Sequence, residues 1–330
     1  MTEFKNKLLT RRRALAMLSA AAAGAVTTLV PQCAWAQDQR VLRIGYQKAA
    51  STLVLLKAHG TLERHLARLG IEVKWAEFSA GPQLLEALNV GSVDFGYVGE
   101  APPIIAQAAG ANFVYSGYEI PTPLAESILV PQHSPIHTVA ELRGKKIAFN
   151  KGSDVHWLVI SLLKKANISY SEFQPIYLAP ADARAAFERG AVDAWAIWDP
   201  FQTAAIKQLN ARVLASGAGV VSHHQFFLSA RPYAEKNPAI ISAILDEVGK
   251  EGQWIRANVK EASVQLAPIQ GLDKDVIEIG LKNYAHIYKP IDNKVLEEQQ
   301  KIADTFFELK LIPRRISTRD AVLAAPAAKV

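Results

Sequence analysis

The chain has 330 residues, half of them hydrophobic, and a formal net charge of +6. A chain of this length can bury a large hydrophobic core and is long enough for about two domains. Its first 36 residues contain five basic residues and one acidic residue, so the remainder carries only +2. This charge balance gives no support for a nucleic-acid partner.

The N-terminal segment has the features of an export signal. Basic residues precede an apolar stretch at 14–30, and an Ala-Trp-Ala cleavage signal ends at Ala36. A membrane anchor is the alternative, but the apolar stretch is shorter than the ~20 residues that span a bilayer. We therefore expect cleavage after Ala36 and a periplasmic mature protein, with Arg11-Arg12 compatible with Sec or twin-arginine export. Cleavage removes the only cysteine, Cys33, and excludes disulfide and thiolate chemistry.

After the leader, strand and helix patterns alternate, which predicts an α/β fold. Alternating or short apolar runs predict strands at 41–46, 71–78, 95–98, 114–118, 127–130, 147–149, 174–178, 192–198, 213–215 and 225–230. Helical periodicity with start and stop signals predicts helices at 52–68, 83–89, 100–109, 155–166, 181–189, from 199 onward, and at 239–257, 260–266, 274–284 and 293–309.

Two stretches, about 41–99 and 144–200, repeat one order of strands, loops and helices. Aligning Gly91 with Gly190 also aligns the Val-Asp pair that follows each glycine. In parallel α/β sheets, ligands bind outside the carboxyl ends of the strands. We therefore expect two similar lobes whose loops meet at one shared cleft.

Four loops that enter helices, 47–52, 79–83, 99–102 and 150–155, combine small residues with hydroxyl or amide groups. Free N–H groups and the helix dipole make such helix starts suitable for binding anions. Ordinary capping is the alternative for any single loop, but matched loops from two lobes predict a site for a small anion. The candidate ligand-binding residues from these loops are Gln47, Ser51, Gly81, Gln83, Gly99, Glu100, Gly152 and Ser153.

Larger side chains near the loops are further candidates. His156 either donates a hydrogen bond into the cleft or packs in the interior, and Trp198 offers an apolar wall to an alkyl group. Asp199 caps the helix that follows it, with or without also facing the cleft. Lys48 and Lys151 occupy equivalent repeat positions and are either cleft charges or surface residues.

Sequence motifs typical of enzymes are missing. The chain has no G-x-S-x-G, no H-E-x-x-H and no G-x-x-x-x-G-K-[ST]. The His223-His224 pair has no cysteine or carboxylate at metal-ligand spacing. We therefore expect a binding protein with no catalytic residue, no metal and no cofactor.

Several of these stretches carry a family resemblance: 43–48, 80–92, 151–153 with His156, 180–187, 192–200 and 230–237. At these residues the chain resembles the periplasmic aliphatic-sulfonate-binding proteins of ABC importers, within the nitrate/sulfonate/taurine-binding group. The Trp-Ala-Ile-Trp-Asp-Pro run within 192–200 is specific to it. Ala49 stands where the family often has Gly, and Glu100 stands where Asp is common.

The resemblance implies a two-lobed type II periplasmic binding protein fold, in which each lobe is a mainly parallel sheet flanked by helices. It places 37–126 and 228–330 in the first lobe. The second lobe, 127–227, is inserted between two crossover strands. A sulfonate would lie in the cleft with its alkyl part against apolar walls, and the closed form would be recognised by an ABC permease in the inner membrane.

The expected function is therefore non-enzymatic capture of a small anionic organosulfur compound by a monomer. Binding of taurine, sulfate esters or nitrate is an alternative that titration distinguishes. An enzyme on the same fold, similar to pyrimidine-precursor synthases and using His156 chemically, is a second alternative that product formation distinguishes. We also expect Asp199→Ala to weaken binding more than it lowers stability.

Overall fold

The structure, a computed structural model, describes residues 40–323. The predicted signal peptide and its cleavage site at Ala36 lie outside these residues. The described residues belong to one compact unit. None of their helices combines the length and the apolar character that crossing a membrane requires.

Eleven strands of the described chain form two sheets. The first sheet has the order β11-β4-β10-β3-β1-β2, with strands β1 (Arg40–Gln47), β2 (Ile71–Phe78), β3 (Phe95–Gly99), β4 (Phe113–Glu119), β10 (Gln225–Ala230) and β11 (Tyr288–Lys289). The second sheet has the order β7-β6-β8-β5-β9, with strands β5 (Glu126–Val130), β6 (Lys146–Phe149), β7 (Gln174–Tyr177), β8 (Ala194–Trp198) and β9 (Arg212–Ser216).

Both sheets are mixed because antiparallel strands lie next to parallel ones: β10 and β11 in the first sheet and β5 in the second. In the first sheet, β1 pairs parallel with β2 and β3, while β10 lies antiparallel between β3 and β4. In the second sheet, β6 pairs parallel with β7 and β8, while β5 lies antiparallel between β8 and β9. Strands β5 and β10 coincide with the two crossover strands that we expect at 127–130 and 225–230.

Helices flank both sheets. Those of the described chain are α1 (Ser51–His59), α2 (Thr61–Ala67), α3 (Gly81–Asn89), α4 (Ala101–Ala108), α5 (Asp154–Lys165), α6 (Pro180–Glu188), α7 (Phe201–Gln208), α8 (Arg231–Lys236), α9 (Pro238–Ala257), α10 (Val259–Gln270), α11 (Lys274–Asn283) and α12 (Asn293–Glu308). Short 3-10 turns occur at Val139–Leu142, Tyr170–Glu172 and Thr318–Ala321.

The two repeat units share a tertiary interaction. Asp94 accepts a hydrogen bond of 2.8 Å from the backbone N–H of Arg43, just before β3. Asp193 accepts one of 2.7 Å from the backbone N–H of Lys146, just before β8. Each aspartate therefore holds the first strand of its unit beside the third, which explains why both units keep the Val-Asp pair.

The structure differs from the predicted elements at three places. The helix predicted at 52–68 is divided into α1 and α2, because Gly60 adopts a left-handed conformation with a φ of 64°. The short helix α8 follows β10 directly and was not predicted. Strand β11 has only two residues, which pair antiparallel with β4 in a segment that carries no strand pattern of its own.

The hydrophobic core places the helices that start at the site. One buried cluster joins the first turn of α4, through Ala101 and Ile104, to Ile160 of α5 and Phe306 of α12. Burial of each large apolar side chain contributes roughly 1.5–3 kcal/mol. This packing holds the start of α4 close to α5. Helix α4 lies beside the first sheet, and helix α5 lies beside the second.

Candidate functional site

A cavity lies where loops at the carboxyl ends of strands from both sheets meet, as expected for α/β folds. It is narrow, with a volume of about 30 Å³. From the first sheet it receives the loops after β1, β2 and β3, the end of β4 and the start of β10, and from the second sheet the start of α5 and the end of β8. Residues that begin α1, α3 and α5 all line it.

Six of the eleven predicted ligand-binding residues line this cavity: Gln47, Ser51, Gly81, Gly99, Ser153 and Trp198. They come from both repeat units, so the structure brings the loops of the two units together. The other five do not line it: Gln83, Glu100, Gly152, His156 and Asp199. Each of these five residues is either held outside the cavity by its hydrogen bonds or exposed to solvent.

Side chains of the loops after β1 and β6 are held at the cavity by hydrogen bonds. The Gln47 amide donates a hydrogen bond of 3.2 Å to the carbonyl of Tyr97, which orients its amide group on the cavity wall. The Gln270 amide donates one of 3.3 Å to the Ser51 hydroxyl. On the opposite side, the Ser153 hydroxyl donates one of 2.8 Å to the carbonyl of Asn150. The cavity is therefore walled by polar groups in fixed orientations.

His156 lies behind the loop and outside the cavity. Its Nδ1 accepts a hydrogen bond of 3.2 Å from the Gly152 N–H, so its Nε2 carries the proton shared with the Tyr170 hydroxyl at 2.7 Å. Burial lowers the pKa of His156 to about 3, and the nearby Lys151 contributes to the shift, so the ring is neutral. The role of His156 is to hold Gly152, whose φ is 79°, next to the cavity-lining Ser153.

Asp199 is fully buried and serves as a cap. One carboxylate oxygen accepts hydrogen bonds from the Thr203 N–H at 3.0 Å and the Thr203 hydroxyl at 2.6 Å. The other accepts from the Gln202 amide at 3.1 Å and the Asn283 amide at 2.6 Å. These contacts use both oxygens, so the structure supports the capping interpretation of Asp199.

Two further predicted residues also lie away from the cavity. Gln83 is exposed on α3. Glu100 is buried just before α4, where one oxygen accepts a hydrogen bond of 3.0 Å from the His224 N–H. Burial raises the pKa of Glu100 to about 8, and the negative charge of Asp154 adds to the shift.

The structure adds lining residues that sequence reasoning missed: Thr52, Tyr97, Glu119, Asp154, Gln225, Tyr284 and His286. Glu119 is satisfied there, since it accepts hydrogen bonds from the Tyr97 hydroxyl at 2.5 Å and the His286 N–H at 2.6 Å. Burial raises the pKa of Glu119 to about 7. Asp154 is the first residue of α5. Acidic residues are common at helix starts, so its position in the sequence did not indicate that it lines the cavity.

Lysine and arginine side chains do not line the cavity in the described part of the chain. The Lys151 ammonium lies 5.2 Å from the centre of the Tyr177 ring, and Lys48 borders a separate depression. Among residues 40–323, no group of three or more His, Cys, Asp or Glu side chains is arranged to hold a metal ion.

Comparison with known proteins assigns this chain to a family. The family model described as "NMT1/THI5 like" matches residues 66–262. An aliphatic sulfonates-binding protein of Escherichia coli (strain K12) is 44% identical over 307 residues, covering 93% of this chain and 96% of the relative.

Solved structures agree with this assignment. The alkanesulfonate-binding protein SsuA from Xanthomonas axonopodis pv. citri, bound to MOPS, has a TM-score of 0.82 and 44% identity, covering 86% of this chain and 98% of that one. The periplasmic aliphatic sulphonate binding protein SsuA from Escherichia coli has a TM-score of 0.79 and 46% identity, covering 86% and 97%. The chain therefore belongs to the NMT1/THI5-like family and, within it, to the aliphatic sulfonate-binding proteins with a two-lobed periplasmic binding protein fold.

Proposed function

We propose that the chain is an extracytoplasmic solute-binding protein that captures aliphatic sulfonates in this cavity and delivers them to an ABC permease. The observation that carries the proposal is the convergence of three helix starts, those of α1, α3 and α5, on one cavity between two sheets. N–H groups in a first helical turn have no intrahelical partner and bind anions. The relatives named above bind sulfonates or are named for doing so.

The sulfonate head is proposed to accept hydrogen bonds from Gln47, Ser51 and the N–H group at Gly81, and from Ser153 in exchange for its contacts with the Asn150 carbonyl. Each hydrogen bond to a charged group contributes about 1.5–3 kcal/mol, so three or four of them hold a monoanion without a metal. The alkyl part is proposed to lie against Trp198, which faces the cavity from the end of β8.

We propose the lobe boundaries that the resemblance implies, 37–126 with 228–330 and 127–227. Strands β5 to β9 all belong to the second sheet, which supports an inserted lobe. Since β10 begins at Gln225 and belongs to the first sheet, sheet membership favours placing the return boundary at Gln225.

Export to the periplasm, cleavage after Ala36 and a monomeric state complete the proposal. The relatives' periplasmic names and the sequence of the leader support export. N-terminal sequencing of protein from the periplasmic fraction should give Gln37 as the first residue. Sedimentation analysis should give the mass of a single chain, and protein retained in the cytoplasm with Met1 intact would contradict the export proposal.

Isothermal titration with ethanesulfonate, butane-1-sulfonate, taurine, nitrate and an alkyl sulfate tests the binding proposal. We expect saturable heat with one site per chain for at least one sulfonate. Heat with nitrate or the alkyl sulfate alone would assign the protein to the alternative ligands, and silence with every sulfonate would reject the proposal.

A further inference from the structure

The carboxylate of Asp154 occupies the cavity at a place suited to an anion. One oxygen accepts a hydrogen bond of 3.3 Å from the Ala101 N–H at the start of α4, and the other accepts one of 3.2 Å from the Gln225 amide. A Cβ atom added at Gly99 would overlap this carboxylate. A negative group of the protein itself therefore fills the inner end of the cavity.

No positive charge of the described chain balances this carboxylate. The only nitrogen of a basic residue within salt-bridge distance in residues 40–323 is His223 Nε2, at 3.7 Å. His223 donates its Nδ1 proton to the Thr122 carbonyl at 3.0 Å, and its Nε2 accepts from the Gln225 amide at 3.1 Å. Burial lowers the pKa of His223 to about 4, so this ring is neutral.

Two other buried acidic groups near Asp154 also lack a cationic partner among the described residues. Glu126 is completely buried, neither of its oxygens has a hydrogen-bond partner among the described residues, and one lies 3.8 Å from His223 Nε2. Glu100 leaves one buried oxygen without a partner. Glu119, in contrast, is satisfied by Tyr97 and His286. Asp154 is thus the cavity-lining carboxylate that is free to gain a strong partner.

We propose that Asp154 is a specificity-determining residue that selects sulfonates carrying a positively charged nitrogen over alkanesulfonates of the same size. The sulfonate binds at the helix starts near Gln47 and Ser51, and the ammonium group of the ligand replaces the long contacts that Asp154 makes with Ala101 and Gln225. This inference rests on the proposed function, since it takes the cavity to be the sulfonate site.

A matched pair of ligands tests the inference on the purified protein. 3-Aminopropane-1-sulfonate and butane-1-sulfonate differ only in an ammonium group replacing a terminal methyl. We expect the amino compound to bind about 10–100-fold more tightly at pH 7.5, the effect of one hydrogen-bonded charge pair. Equal or tighter binding of butane-1-sulfonate would overturn the inference and leave the proposed function standing. Failure of both ligands to bind would overturn the proposed function as well.

The variant Asp154→Asn should abolish the preference, by weakening the amino compound and strengthening butane-1-sulfonate. The matched control is Asp182→Asn, which removes an exposed acidic residue from the first turn of α6, away from the cavity. The control should keep the preference. A preference that survives in Asp154→Asn would overturn the assignment to this residue.

A pH series on the unmodified protein tests the same point without a substitution. Burial raises the pKa of Asp154 to about 6. The groups facing it are Glu100, with a pKa of about 8, Glu126, with a pKa raised well above its ordinary value, and His223, which stays neutral above about pH 4. The ligand's amine remains protonated throughout. The affinity ratio should therefore fall as pH drops from 7 to 5, and a ratio independent of pH over this range would contradict the role of Asp154.

Discussion

Asp199 and Asn283 are joined by a hydrogen bond of 2.6 Å between the carboxylate that caps α7 and the amide at the end of α11. The same carboxylate holds Thr203 and Gln202 in the first turn of α7. Since Asp199 is fully buried, its removal leaves these donors without partners. Asp199 thus joins α7 to α11 without facing the cavity.

Asp199→Ala is accordingly expected to lower the free energy of unfolding by roughly 3 kcal/mol, through the lost cap and the unsatisfied donors. Sulfonate affinity should change by less than about threefold, within the effect of a weak indirect contact. This reverses the expectation from sequence alone. Denaturant unfolding and titration of one preparation measure both effects, with the exposed Asp246→Ala as control. A large loss of affinity with unchanged stability would restore the ligand-binding interpretation.

Gln47→Ala should weaken sulfonate binding by about tenfold or more, because it removes a neutral donor from the cavity wall. Gln83→Ala is the matched control, since the sequence predicts both glutamines as ligand-binding residues and Gln83 is exposed outside the cavity. Titration of the two variants gives the comparison. Similar affinities for both would show that the sulfonate does not bind at Gln47.

Gly99→Ala should interfere with the approach of α5 to the start of α4, since its Cβ would overlap the Asp154 carboxylate. Overpacking of this kind costs about 1–3 kcal/mol of folding stability, and the displaced start of α5 should also weaken the binding of butane-1-sulfonate. Gly249→Ala, which meets no atom within 4 Å, is the control. Adding Asp154→Ala to Gly99→Ala should restore binding, and failure of this rescue would mean that the methyl group blocks the ligand directly.

Buried carboxyl groups should make the protein less stable at alkaline pH. Burial raises the pKa of Glu100 to about 8, of Glu119 to about 7 and of Asp154 to about 6. Groups with a raised pKa bind protons more tightly in the folded chain, so the stability they contribute is present at low pH and is lost as pH rises through 6 to 8. Glu100 alone should account for about 2 kcal/mol between pH 6.5 and 8.5.

Buried histidines have the opposite effect at acid pH. Burial lowers the pKa of His156 to about 3 and the pKa values of His223 and His286 to about 4. The stability they contribute is present above their ordinary pKa of about 6.5 and is lost as pH falls toward 4. Above about pH 6.5 the histidines are neutral in both states, so thermal unfolding between pH 6.5 and 9 should show stability falling as pH rises. Glu100→Gln should reduce the alkaline loss, and an unchanged alkaline slope in this variant would contradict the shift.

The repeat is the part of the fold that the sequence predicts best. Asp94 and Asp193 lie in short local motifs, and both make the same hydrogen bond to the first strand of their unit. Strand β11 could not be predicted, because its two residues become a strand only by pairing with Tyr118 and Glu119 of β4. The division into α1 and α2 at Gly60 could not be predicted either, because a glycine within a helical pattern is compatible with one continuous helix and with two short helices.

In the candidate site, too, residues within local motifs were predicted, and residues from distant segments of the chain were not. Ser51, Gly81 and Ser153 were predicted because loops entering helices have a recognisable composition, and all three line the cavity. Gln225 and His286 were missed because they come from segments far along the chain that carry no motif. For His156 the sequence left two positions open, at the cleft or in the interior, and the structure places it behind the loop, where it accepts a hydrogen bond from Gly152.

The most direct test of the account is a crystal structure with 3-bromopropane-1-sulfonate, whose bromine can be located by anomalous scattering. We predict one bromine peak inside the cavity next to Trp198, with sulfonate oxygens within hydrogen-bond distance of Ser51, Gly81 and Ser153. A ligand bound at any other surface, with this cavity closed and occupied by the Asp154 carboxylate alone, would contradict the account.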